Sequence, residues 1–167
     1  MNTTGAMRAP CSASLPAIVR QVVNELATLI AQRRAVVEIG RTAEAPLVRG
    51  PEQSVKQIVY QVLRNAVEAS PPGGVIRVAQ HERDGQVILE ISDDGSGIQT
   101  GDFSKILKRG FTTKSGTKGQ GLAEVECRIA ELRGGIAWES PLRSGRGTCF
   151  TITLPSAQTA QAVQAPA

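Results

Sequence analysis

Apolar side chains recur at Leu15, Ile18, Val22, Val23, Leu26 and Leu29, a spacing that predicts an amphipathic helix over 15–33 with Pro16 in its first turn. A stronger stripe runs over 51–70, where Val55, Ile58, Val59, Val62, Leu63, Ala66 and Ala69 share one face. Pro51 opens that segment, Glu52 suits its first turn, and "PPGG" at 71–74 ends it. Between the two helices, "AVVEI" (35–39) and "PLVR" (46–49) predict short strands around a polar loop. Two β-rich runs then meet at Asp84-Gly85, the mark of a hairpin over 74–93. Helical spacing returns over 121–133 at Leu122, Val125, Ile129 and Leu132, and "GIAWES" and "GTCFTITLP" read as two closing strands. Helices interleaved with hairpins and without βαβ regularity predict an α+β, two-layer sandwich.

The 167 residues suffice for one domain with a real core. The fold is expected over 15–155. The opening "MNTTGAM" reads as an initiator or cloning remnant, with 1–14 a disordered lead-in, and "SAQTAQAVQAPA" (156–167) reads as a low-complexity, disordered tail. Aromatics make up only 3%, so the core must be Val, Ile, Leu and Ala. A net charge of +4 suits an anionic partner, but Lys and Arg are scattered without aromatic platforms, which argues against nucleic acid. Cys11, Cys127 and Cys149 are widely spaced and include no Cys-x-x-Cys pair, a pattern of reduced thiols rather than of disulfides or a zinc site. Neither a membrane span nor a signal peptide is evident, so the domain is expected to be cytoplasmic, on its own or as the cytoplasmic portion of a membrane-bound protein, and without direct membrane contact.

Candidate chemistry is concentrated in glycine-bearing stretches. "ISDDGSGI" (91–98) ends a strand on two carboxylates and then removes side chains at alternate positions. It could be a plain Asp-Gly turn or a pocket floor where a ligand lies against the main chain. "GTKGQGL" (116–122) and "GRGTCF" (145–150) follow. There is no G-x-x-x-x-G-K-[ST] loop and no strand-led G-x-G-x-x-G. The 96–118 segment is polar, rich in Gly and Lys, and too long for an ordinary connection, as functional lids tend to be.

In this order, "QIVYQVLRNAVEAS", "DDGSGI", "FTTK", "KGQGLAEV" and "GGIAWESPLRSGRGTCFTITLP" resemble the N, G1, F, G2 and G3 boxes of sensor histidine kinases. They resemble the catalytic, ATP-binding domain of that family, which has the Bergerat (GHKL) fold it shares with gyrase: a mixed sheet with helices on one face. The resemblance covers roughly residues 15–155 and implies ATP and Mg2+ as cofactors. Asp93 matches the aspartate that accepts a hydrogen bond from the adenine 6-amino group, and Gly95 and Gly97 let base and sugar approach the main chain. Asn65 matches the magnesium-coordinating asparagine; a helix asparagine bonded to nearby backbone is the alternative. Glu68, one turn on, reads as an exposed helix glutamate rather than a metal support.

Gln61 departs from the pattern of the hydrolysing relatives, which carry a glutamate there to activate water. Glutamine cannot act as a general base, so the resemblance implies phosphoryl transfer more than hydrolysis. The lid, 99–118, supplies Lys108, Arg109, Thr113 and Lys114, with Phe111 as its anchor on the core. It is short and similar to that of kinases of the nitrogen-regulation group. Gly119, Gly121 and Leu122 keep the phosphate loop, in which Lys118 and Gln120 replace the usual Thr and Leu. Thr148 matches the threonine that holds adenine beside the aspartate, although strand threonines also serve packing.

A histidine kinase also needs a phosphoacceptor. His81 is the lone histidine and lies beside a hairpin turn without a helical pattern, so it reads as an exposed strand-end residue. The expected partners are therefore the dimerisation and histidine-phosphotransfer domain of a parent kinase, and a response regulator. The alternatives are a stand-alone anti-sigma-type serine kinase, or a nucleotide-responsive binding module whose catalysis has decayed.

Overall fold

The computed structural model describes residues 11–42, 45–102, 104–108, 121–142 and 145–158. The elements are β1 (Ser12–Ser14), α1 (Leu15–Glu25), α2 (Ala27–Arg33), β2 (Val36–Ile39), β3 (Leu47–Arg49), α3 (Glu52–Ala69), β4 (Val75–Arg83) and β5 (Gln86–Asp93). A 3-10 turn at Thr100–Asp102, then α4 (Gly121–Glu131), β6 (Gly135–Glu139) and β7 (Thr148–Pro155) complete the order. The main sheet runs β2-β4-β5-β7-β6, and β1 and β3 form a separate ribbon. Only β2 and β4 are parallel, so the sheet is mixed.

Side chains alternate across a strand, and that alternation explains why the helices occupy one face. Ile76 and Val78, Val87, Leu89 and Ile91, and Phe150, Ile152 and Leu154 are buried, whereas Arg77, Ala79 and His81 are exposed. α3 is the central helix: it packs on α1, on α4 and on β5. Its buried stripe is Val55, Ile58, Val59, Val62, Leu63, Ala66 and Val67. Each buried Val, Ile or Leu contributes about 1.5–3 kcal/mol, so α3 is held chiefly by packing. Asp84 and Gly85, at φ 52° and 73°, make the hairpin turn that a right-handed strand twist favours. It pairs Arg83 with Gln86.

The structure departs from the sequence expectations in several places. The 15–33 helix is two helices that meet at Leu26 (φ −88°, ψ 3°). Leu26 N–H still donates to Val22 O, and Ile30 N–H to Leu26 O, both at 2.9 Å, so the hydrogen-bond run bends rather than breaks. The bend keeps Leu26 in the core, while α2 itself has no fully buried residue. On α3, Val67 takes the buried place expected for Ala69, which is exposed. Structure also extends past both expected ends of the fold. β1 pairs with β3 ahead of residue 15; Ser156 N–H donates to Gly85 O and Ala157 N–H to Leu47 O beyond residue 155. Cys11 and Cys127 are exposed free thiols and Cys149 is a half-buried one. No helix among the described residues is long and apolar enough to cross a membrane.

Candidate functional site

The site begins where β5 ends beside the start of β7. Asp93, the last residue of β5, is paired with Thr148, the first of β7, and each is only 4% exposed. Gly95 N–H donates to Asp93 Oδ1 at 2.8 Å, which fixes the carboxylate at the strand end. The neighbouring Asp94 has different work. Its Oδ2 accepts from Val75 N–H at 3.2 Å, and its Oδ1 lies 3.6 Å from the Arg77 guanidinium. Of the two adjacent carboxylates, Asp94 braces β4 and Asp93 is buried at the strand end beside Thr148, a place we call the slot.

The glycines are where backbones meet. A Cβ on Gly95 would stand 2.7 Å from both Ala69 O and Asp93 Oδ1, and a Cβ on Gly147 would overlap Asp93 O. Gly147 N–H donates to Gly95 O at 2.8 Å, which closes the 93–97 stretch against the 145–150 stretch. Gly97 lies at φ +79° with Ser140 Oγ 3.0 Å from where its Cβ would be.

Ser140 is the residue that sequence reading missed. It follows β6, is 8% exposed, and accepts from Ile98 N–H at 2.7 Å. It donates to Gly147 O at 3.0 Å and lies 3.1 Å from Thr148 Oγ1. The sequence carries no local signal for it, because the burial that obliges this hydroxyl to find partners arises only in the fold.

One face of α3 carries the remaining candidates. Ala69 touches the slot through Gly95. Asn65 lies one turn earlier and Gln61 one turn earlier still, about 6 Å of helix axis per step. Both are half-buried. Gln61 Oε1 is 3.1 Å from where a Gly121 Cβ would be, so Gln61 sits against the start of α4. Beside it, Gln57, Tyr60, Gln61, Glu124, Val125 and Arg128 line a cleft of about 230 Å³. The three positions thus form a row from the strand-end slot to the beginning of α4.

Glu68 corrects an expectation. It is not a solvated glutamate: its Oε1 is 2.7 Å from Arg64 Nε and its side chain is 16% exposed. That hydrogen bond and charge raise the Arg64 pKa further above its ordinary value. His81 is exposed on β4, paired with Ile88. Lys108 is exposed and Leu122 packs half-buried on the core. Arg109, Phe111, Thr113, Lys114 and Gly119, with Lys118 and Gln120, lie outside the described residues. Within the described part of the 99–118 segment, Ile106 is 5% exposed and joins the core, a core contact that the Gly- and Lys-rich composition concealed.

A buried carboxylate at a strand end, glycines that let backbones meet, and a polar row along one helix are the described parts of the candidate site. The family model for histidine kinase-, DNA gyrase B-, and HSP90-like ATPases matches residues 50–158, and the chain belongs to that family. Sporulation kinase D of Bacillus subtilis is 37% identical over 122 residues, 71% of this chain and 23% of that protein. The Escherichia coli sensor histidine kinase DcuS is 36% identical over 111 residues, 64% of this chain and 20% of that protein. A solved structure of the mycobacterial sensor histidine kinase MprB superposes with a TM-score of 0.78 at 26% identity, covering 88% of this chain and 97% of that one. The chain therefore corresponds to an ATP-binding domain of the histidine kinase type, and it spans well under half the length of the curated relatives it matches.

Proposed function

We propose that this domain binds Mg2+–ATP and transfers the γ-phosphoryl group to a histidine on the dimerisation domain of a parent sensor kinase, which passes it to a response regulator. The observation that carries the reading is the Asp93 carboxylate, buried at a strand end and held by Gly95 N–H. A carboxylate is an acceptor only, so it meets adenine's 6-amino donor and opposes the 6-oxo group of guanine. A hydrogen bond to a charged group contributes about 1.5–3 kcal/mol.

In this reading Gly95, Gly97 and Gly147 let the strand-end loops close on one another and so shape the pocket, because a Cβ at any of them would strike main chain or Ser140. Asn65, one turn from the slot, offers a neutral amide oxygen of the kind Mg2+ takes alongside phosphates and water. The ion when bound neutralises phosphate charge. Gln61, at the far end of the row, orients groups without removing protons. The acceptor imidazole nitrogen forms its bond to the γ-phosphorus as the bond to the departing ADP oxygen breaks. Positioning, rather than side-chain acid–base chemistry, does most of what such a reaction asks of the protein. Lys108, Arg109 and Lys114 would contribute charge from the lid, with Thr113, Phe111, Gly119, Gly121 and Leu122 shaping it. The domain would work as the cytoplasmic portion of its sensor.

Calorimetry with ATP, with and without Mg2+, tests the binding half of the proposal; binding that needs Mg2+ is the expected result. Incubation with [γ-32P]ATP and the parent's dimerisation domain tests the rest. Label that is lost in acid marks phosphohistidine, and acid-stable label would point to serine and refute the assignment.

A further inference from the structure

Ser140 Oγ makes two oxygen–oxygen contacts, at 3.0 Å to Gly147 O and 3.1 Å to Thr148 Oγ1. It also receives Ile98 N–H at 2.7 Å. Two oxygens at such distances repel unless a hydrogen lies between them. A serine hydroxyl owns one hydrogen and a carbonyl owns none. The Ser140 hydrogen must therefore go to Gly147 O, and the hydrogen in the other contact must come from Thr148. Ser140 is left with one bond donated and two accepted, a complete set for a buried hydroxyl.

The consequence falls on Thr148. Its hydrogen points inward to Ser140, so it offers only lone pairs elsewhere. Its cross-strand partner is Asp93, an acceptor as well. We infer that Ser140 is a positioning residue for nucleotide choice: by taking the Thr148 proton it makes the Asp93–Thr148 wall acceptor-only, so that this wall recognises the hydrogen-donating 6-amino group of adenine and rejects 6-oxo purines. The inference rests on the ATP-binding reading above and goes beyond it, since that reading assigns Ser140 no part in nucleotide choice.

The test compares ATP with inosine triphosphate, which carries a 6-oxo group, by calorimetry in Mg2+, with thermal unfolding to confirm that each variant folds. If the unaltered protein binds no ATP, the proposed function fails; if it does bind ATP, the outcomes below judge Ser140 and Thr148 alone. Ser140→Ala frees the Thr148 hydrogen to meet a 6-oxo group, so the ATP-to-inosine triphosphate affinity ratio is expected to fall about tenfold, the weight of one hydrogen bond. The same substitution in a Thr148→Val background is expected to leave the ratio unchanged. An equal loss for both nucleotides in Ser140→Ala would make Ser140 merely structural and overturn the inference. Should Ser140→Ala fail to fold, Thr148→Val decides alone. A loss confined to ATP supports an acceptor hydroxyl, and a matching loss for inosine triphosphate refutes it.

Discussion

Replacing Asp93 by Asn separates the slot's chemistry from its architecture. Asp93 Oδ1 already holds Gly95 N–H at 2.8 Å, and an asparagine carbonyl oxygen can keep that bond with little change of shape. The amide's NH2 then occupies the place of the second carboxylate oxygen, so a donor faces the 6-amino donor of adenine. The variant loses a charge-assisted acceptor contributing about 1.5–3 kcal/mol, which corresponds to a fall in ATP affinity of about tenfold to 150-fold. The fold should survive, because removing a charge from a residue 4% exposed lowers the cost of burial. Calorimetry supplies the affinity and a thermal melt supplies the stability. Asp94→Asn is the control: it touches the Arg77 pair and Val75 N–H, and it should leave ATP affinity within about twofold, as expected of a surface substitution outside the slot. Asp93→Asn with unaltered melting and unaltered ATP affinity would refute the adenine-slot reading.

Other substitutions probe the surrounding parts. Gly147→Ala drives a Cβ into Asp93 O at a residue of φ +85°; it should cost about 1–3 kcal/mol and lower the melting temperature together with ATP affinity. Gln61→Glu introduces a carboxylate beside the start of α4, and ATP hydrolysis measured by phosphate release should rise about a hundredfold as a general base appears. Burial, then the charge of Glu90, raises the Cys149 thiol pKa. The folded chain therefore keeps this proton over a pH range where the unfolded chain has lost it. Its stabilising effect is complete below the unfolded-state pKa and is lost as pH rises through the folded one. Cys149 should also alkylate more slowly than exposed Cys11 and Cys127 at mildly alkaline pH, as peptide mapping would read.

Most of the scaffold was legible because its signals are local. The stripe from Val55 to Ala66 and the "PPGG" stop marked α3 almost to the residue, and Asp84-Gly85 announced the hairpin. Short or paired features were not. β1 has three residues and no periodicity to read, and it exists only because β3 lies opposite. The bend at Leu26 is likewise invisible in a stripe that continues across it; only the shape of the core distinguishes a buried Leu26 from the unburied α2. Ile106 was hidden for the converse reason, a lone apolar residue in a polar run that becomes an anchor once the core is beneath it.

For the site, the sequence by itself supplied the chemical types and their order along the chain: two adjacent carboxylates, the glycine stretches, an asparagine and a glutamine one turn apart. The motif match pointed to Asp93, but composition and periodicity alone gave no physical reason to prefer it over its neighbour Asp94. The pleat decides that, sending Asp93 inward beside Thr148 and leaving Asp94 to Arg77. Nor could the sequence show that Ser140 and Ile98, 42 residues apart, share a hydrogen bond. That contact, and those of Ser140 with Gly147 and Thr148, exist only after the sheet has brought the end of β5, the end of β6 and the start of β7 together, because hydrogen bonds depend on distance and angle rather than on sequence neighbourhood.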